Sequence, residues 1–289
     1  MPVDPLRARL DEQLNELRVQ GEVAMADTDP EGVHQLRVAV RRARAALKTA
    51  GGFDELRGEL RWFFSRLGPL RDLDVLLERF HGDTSGFSAT ELAAFERLLL
   101  PLTVERAQAL RRATKALRGK RYAKLLDALA AATPSGGEAA EPDMVAEIEK
   151  PHERLRAEVA AIGQDPTDEQ LHDLRILGKK LRYVAEMATG RQARALVKAM
   201  KRFQDLLGEF HDACVAEKRV RALTPAGLDE AFVAGRLVER ERGKQQAMRA
   251  TWHDAWLAVD SRAMALRAQP EAPTRAGAPQ RPPRVRPSP

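Results

Sequence analysis

A single cysteine, Cys214, occurs in 289 residues. That excludes an intrachain disulfide framework and any cysteine-built metal centre, and it points to a reducing cytosol; Cys214 itself is expected to be a buried helical residue. Aromatic residues are scarce, at 5%, so platforms for stacking bases are few. Tyr183 and the pair Trp252/Trp256 are the candidates, and aromatics at helical spacing suit a core better. No run of about 18 apolar residues exists. The opening MPVDPLRARLDEQLNEL lacks the apolar segment of a secretion signal, and the expectation is a soluble, non-exported protein with no membrane partner. A Gly-rich phosphate loop, a nucleophile elbow and a Ser/His/Asp arrangement are all missing. Neither His34 nor His172 has a second ligand at metal spacing. The sequence therefore predicts no catalytic residues, no metal site and no cofactor.

One more absence is local. Between Val33 and Phe53 there is no Asp or Glu, although 31% of the chain is charged. Within this stretch His34, Arg37, Arg41, Arg44 and Lys48 fall in one helical stripe, with Arg42 flanking it, while Leu36, Val40, Ala43 and Leu47 take the opposite side. A solvated helix face is the usual reading of such a stripe, but it would normally be laced with i,i+4 acids. Crowded like charges repel, and a polyanion would relieve them.

The rest of the chain is helical in pattern. Ala, Leu, Arg and Glu recur, and no segment alternates with period two. Asp4-Pro5 and Asp29-Pro30 read as helix starts, and Gly51-Gly52 as a stop. Helices are expected at about 54–67 and, after a break at Gly68-Pro69, again from Leu70. Ser88 to Glu91 is a capping box opening a helix bent near Pro101, and a short helix covers 120–131. Beyond residue 142, helices are expected at 143–162, from Asp165-Pro166, at about 191–207 and 209–222, and from Thr224-Pro225 to near Leu266. Residues 133–142, TPSGGEAAEP, form the best linker. The tail from residue 267 is rich in Pro and Arg and is expected to be disordered. Of the net charge of +6, the tail supplies about four, so any anion site in residues 1–266 must come from segregated rather than excess charge.

The second half restates the first. His34-x-x-Arg37 with Arg41-Arg42-x-Arg44 aligns, 138 residues on, with His172-x-x-Arg175 and Lys179-Lys180-x-Arg182. LGPLRDLDV (67–75) aligns, 140 residues on, with LGEFHDACV (207–215). A weaker match joins 109–115 to 247–253. Duplication predicts an all-α fold of two helical bundles, residues 1–132 and 143–266, related by a pseudo-twofold axis. Basic stripes near such an axis would face a shared groove.

The doubled H-x-x-R-[VI]-x-x-[RK]-[RK]-x-R, each copy followed by L-G-x-x-[RH]-D, resembles the CHAD domain, the conserved histidine α-helical domain, over roughly residues 3–266. The resemblance implies two four-helix bundles and non-catalytic binding of inorganic polyphosphate in a basic central groove, in the bacterial cytoplasm at polyphosphate granules. It carries the binding role to His34, Arg37, Arg41, Arg42 and Arg44 and to His172, Arg175, Lys179, Lys180 and Arg182. Lys48, Arg111, Arg112 and Arg249 are candidate additions. Lysine meets phosphate as a point charge where arginine clamps two oxygens, so the second half is expected to hold the chain less rigidly. Asp72 and Asp212 would repel phosphate and are read as structural. Glu147-Ile-Glu149-Lys150 approaches the E-x-E-x-K of the triphosphate tunnel enzymes that accompany CHAD domains, but its lysine comes one residue early, on a helix. Two other readings are a nucleic-acid-binding protein using groove and tail, and a polyphosphate-processing enzyme. The second lacks convergent acids to hold Mg²⁺.

Overall fold

In a computed structural model, the structure describes residues 5–82, 84–132, 144–163 and 165–268. These form nine helices and no strand: α1 (Pro5–Ala26), α2 (Glu31–Ala50), α3 (Asp54–Gly82), α4 (Ala89–Leu117), α5 (Lys120–Ala131), α6 (Met144–Ile162), α7 (Asp168–Ala185), α8 (Arg191–Arg221) and α9 (Leu228–Arg267). The fold is all-α, as the patterning predicts. The Asp4 cap, the 133–142 linker and all but the first two residues of the tail lie outside the described residues.

The helix starts follow local chemistry. Asp29 accepts the Glu31 N–H at 2.8 Å, which caps α2 although Pro30 cannot. Ser88 and Glu91 form the expected reciprocal box on α4. A second box, Thr167 with Gln170, opens α7, so the start signal there is Thr167 rather than Asp165-Pro166. At the head of α9, Glu230 accepts the Ala226 N–H at 2.8 Å.

Two expected breaks are absent. Helix α3 runs unbroken through Gly68 and Pro69. Proline removes the N–H that would reach the Ser65 carbonyl, but Ser65 and Pro69 are both exposed, so water can serve that carbonyl. Leu67 and Leu70, fully buried on either side, hold the two halves in line. Likewise α8 continues through Gly208, between buried Leu207 and Phe210. Glycine costs about 1 kcal/mol relative to alanine within a helix, less than the packing on either side returns.

The chain divides into two compact units. The first combines α1 to α5 with Asp212–Lys244, that is, the end of α8 and the beginning of α9. The second combines α6, α7 and α8 up to His211 with α9 from Gln245 onward. In the first, Leu10, Leu17, Leu36, Leu47, Leu60, Phe63, Leu67 and Phe95 form the core, joined by Ala216, Val220, Val233 and Leu237. Arg79 adds a buried ion pair to Glu241 at 2.6 Å. Arg106 bonds Asp74 and Asp27, each at 2.7 Å. Burial pushes the Asp74 carboxyl above its ordinary value, with Arg106 acting against that shift. The second unit buries Leu155, Leu174, Leu181, Phe203, Trp252 and Trp256, and His152 meets Asp260 at 2.8 Å. The tryptophans are thus core residues, whereas Tyr183 is exposed.

Candidate anion-binding seams

Helix α2 sets its apolar stripe, Leu36, Val40, Ala43 and Leu47, fully into the core. This turns the opposite stripe outward along α3. The two helices run antiparallel, and four contacts fix their register. His34 lies within electrostatic reach of Arg71, the Arg37 guanidinium passes 3.2 Å from where a Cβ on Gly68 would sit, it stacks over Phe64 at 4.1 Å, and Arg44 meets the field of Arg61 and Arg57. A side chain at Gly68 would therefore displace the Arg37 guanidinium by a few tenths of an ångström.

The cations of this seam are only partly compensated. Burial lowers the Arg37 guanidinium below its ordinary value, Asp72 opposes the shift, and Arg41 and Arg71 deepen it. Burial likewise lowers Arg44, and the neighbouring Arg61 and Arg57 add to it. For His34 burial again leads, Glu31 acts against it, and Arg71, Arg41 and Arg37 press it further down. Arg37 Nη1 and Arg44 Nε are buried without a hydrogen-bond partner. Arg41, Lys48, Arg61 and Arg71 make no ion pair among the described residues. Asp72 is exposed, and its carboxylate supports the charge of Arg37.

The second unit repeats the arrangement locally. His172 Nδ1 lies 3.2 Å from His211 Nδ1, where the first unit sets His34 near Arg71. Arg175 passes over Gly208, 3.8 Å from the position of an added Cβ. The doubled motif is thus a device in which a histidine and an arginine on one helix meet a long polar side chain and a glycine on the next. Arg182 differs from its counterpart Arg44 in having Glu186 3.1 Å away, although its Nε, like that of Arg44, is buried without a hydrogen-bond partner.

Other expected residues fall elsewhere. Arg42 is exposed beside the stripe. Lys179 is half-buried on α7, whereas Lys180 turns away into a cleft with Lys150, Arg154, Leu177 and Val184. Arg111 and Arg112 are exposed on α4, and no contact brings them to the seam. Arg249 bonds the Pro166 carbonyl and the Asp168 carboxylate and stacks over Phe210 at 5.0 Å, which ties α9 to the head of α7. Cys214 is half-buried rather than buried, unlike its counterpart Asp74 on α3, which is buried. The sequence reading passed over Arg57 and Arg61. Their signal is the recurrence of 57, 61, 68 and 71 on one face of α3.

The family model described as CHAD domain matches residues 8–221. The chain belongs to the CHAD domain family. Two curated relatives, Uncharacterized protein MT2285 of Mycobacterium tuberculosis (strain CDC 1551 / Oshkosh) and Uncharacterized protein Rv2226 of Mycobacterium tuberculosis (strain ATCC 25618 / H37Rv), are each 32% identical over 265 residues. These alignments cover 83% of the chain and 50% of each relative, so the chain spans about half the length of the curated relatives it matches. Among solved structures, PptA from Streptomyces chartreusis is similar with a TM-score of 0.61 and 23% identity, over 87% of this chain and 96% of that one. The CHAD domain from the plant Ricinus communis matches with a TM-score of 0.59 and 23% identity, over 92% and 91%. At that identity the likeness establishes a shared fold. The doubled seams are therefore features of a CHAD fold, and no helix among the described residues is long and apolar enough to cross a membrane.

Proposed function

We propose that this CHAD protein binds inorganic polyphosphate along its basic seams, and that it does so without turning it over. The observation that carries the reading is the charge frustration of the α2–α3 seam. Burial disfavours the charge on both Arg37 and Arg44, with Arg41 and Arg71 adding to it at Arg37 against the pull of Asp72, and Arg61 and Arg57 adding to it at Arg44, and two of their N–H groups have no acceptor. A buried donor without a partner costs about 1–3 kcal/mol. A phosphate chain supplies closely spaced anionic oxygens and would relieve that cost along the whole seam. Recognition of a flexible chain with no bases needs cationic donors and no stacking platforms. The seam fits that requirement, since Phe64 lies beneath Arg37. Family membership supports the same ligand, and cytoplasmic polyphosphate granules are the proposed setting.

Binding of long-chain polyphosphate by the wild type and by an Arg37→Ala/Arg41→Ala/Arg175→Ala/Lys179→Ala variant tests this, with duplex DNA as competitor. The expected result is tight, salt-sensitive binding that the variant loses while staying helical, that DNA barely competes, and that releases no phosphate with Mg²⁺ or Mn²⁺ present. Equal competition by DNA would point to a nucleic-acid-binding protein, and steady phosphate release to an enzyme.

A further inference from the structure

The two seams are not equivalent at their far ends. In the first unit the stripe continues past Arg44 to Lys48, and α3 brings Arg61 and Arg57 alongside. In the second, the position matching Lys48 is Glu186, 3.1 Å from Arg182, and the position matching Arg57 is Val197, while Lys201 stands where the first unit has Arg61. Among the described residues the first unit carries its cations from His34 and Arg71 through to Lys48 and Arg57, the two places where the second has Glu186 and Val197. Fourteen residues of α-helix span about 21 Å. The buried, unpartnered guanidinium nitrogens of Arg37 and Arg44 sit seven residues apart on α2, about 10 Å along the axis, and Arg182 Nε is likewise unpartnered at the matching place of the second unit. One compact anion cannot answer both Arg37 and Arg44.

Resting on the polyphosphate reading, we infer that the α2–α3 seam of the first unit is a length-selecting site. It takes an extended phosphate chain laid along the seam, with Arg57 and Arg61 of α3 gripping the end that short chains do not reach. Arg61 is exposed and makes no ion pair among the described residues. Arg57 pairs with Asp54 at 2.8 Å, but that carboxylate is 89% exposed, and an exposed pair of this kind yields readily to a polyanion. Inorganic triphosphate would occupy only the Arg37–Arg41 region, where His34 and Arg71 add their donors.

The test measures the affinity of the full chain for inorganic triphosphate, for a graded series of chain lengths and for long-chain polyphosphate. The proteins are the wild type, Arg57→Ala/Arg61→Ala, and Arg37→Ala/Arg41→Ala. The first variant should lose about tenfold to a hundredfold for long chains, matching one or two charge-assisted contacts. Its triphosphate affinity should stay at the wild-type value, so that its length dependence flattens. The second variant should lose both ligands. Unchanged long-chain affinity in Arg57→Ala/Arg61→Ala would overturn the inference, as would a parallel loss of triphosphate. Arg61→Glu provides a stronger reading of the same contact at an exposed position that cannot disturb the core. Failure of the wild type to bind long chains at all would instead overturn the polyphosphate reading itself.

Discussion

The two seams share a histidine and two arginines, His34, Arg37 and Arg44 against His172, Arg175 and Arg182, but the second has Lys179 for Arg41, His211 for Arg71 and Glu186 for Lys48. Where the first sets His34 near Arg71, the second sets His172 against His211 at 3.2 Å. Where the first leaves Arg44 among Arg57 and Arg61, the second pairs Arg182 with Glu186. The scaffold is the same in both, down to an arginine lying over a helical glycine. What differs is how much repulsion each seam stores while empty. A seam with more uncompensated charge has more to gain from a polyanion, so the proposed function predicts that the first half binds more strongly than the second.

The largest effect separates scaffold from seam. Arg79 holds Glu241, whose side chain is 2% exposed, and Lys244 lies 3.1 Å from the same carboxylate. Arg79→Ala should lower stability by about 3 kcal/mol, the lower end of the range for breaking a buried pair. Chemical denaturation would measure the loss, and polyphosphate affinity of the remaining folded protein should be unaltered. Next comes the comparison itself. Arg44→Ala should weaken long-chain binding by about 1.5–3 kcal/mol, whereas Arg182→Ala, with Glu186 3.1 Å away competing for the guanidinium, should cost less by calorimetry. Equal losses would mean that the halves contribute alike. Sharpening runs the other way: Glu186→Lys restores the first unit's pattern in the second and should raise affinity by about 1 kcal/mol, roughly fivefold, an effect that high salt removes.

The smallest effect is that of pH. In the free protein His34 is held below the ordinary histidine value of 6.5, by burial first and by Arg71, Arg41 and Arg37. A depressed histidine contributes stability above that value and loses it as pH falls through it, because the unfolded chain takes up the proton first. A bound polyanion neutralises the neighbouring arginines and lifts His34 back, so binding should take up protons. Affinity should then climb as pH drops from about 7.5 to 6. Calorimetry in buffers of different ionisation enthalpy would detect the uptake, and His34→Asn should reduce it.

Much of this was legible along single helices. The α2 stripe can be read because all of it lies on one element with one period, and Ser88–Glu91 because a capping box is complete within four residues. Gly68-Pro69 and Gly208 misled for a shared reason. A local helix breaker is outweighed by buried leucines on either side, and that burial is a tertiary fact. Arg57 and Arg61 stayed hidden because Glu55 and Glu59 alternate with them, which resembles an ordinary laced surface. Only the antiparallel register with α2 turns the arginines toward Arg44, while Glu59 is drawn off by Arg121 at 2.7 Å. Arg249 entered through the weakest of the repeat alignments, and its bonds to the head of α7 follow from packing that no spacing in the chain reveals.

The most direct test of the central claim is the salt dependence of long-chain polyphosphate affinity for the wild type against Arg37→Ala/Arg41→Ala. Each phosphate contact should contribute about 0.7–0.9 to the slope of log affinity against log salt, by analogy with nucleic acids. The account predicts that the variant's line is shallower by about 1.4–1.8 as well as lower at every salt concentration. Parallel lines, or lines that coincide, would mean that the arginine seam does not touch the polyanion.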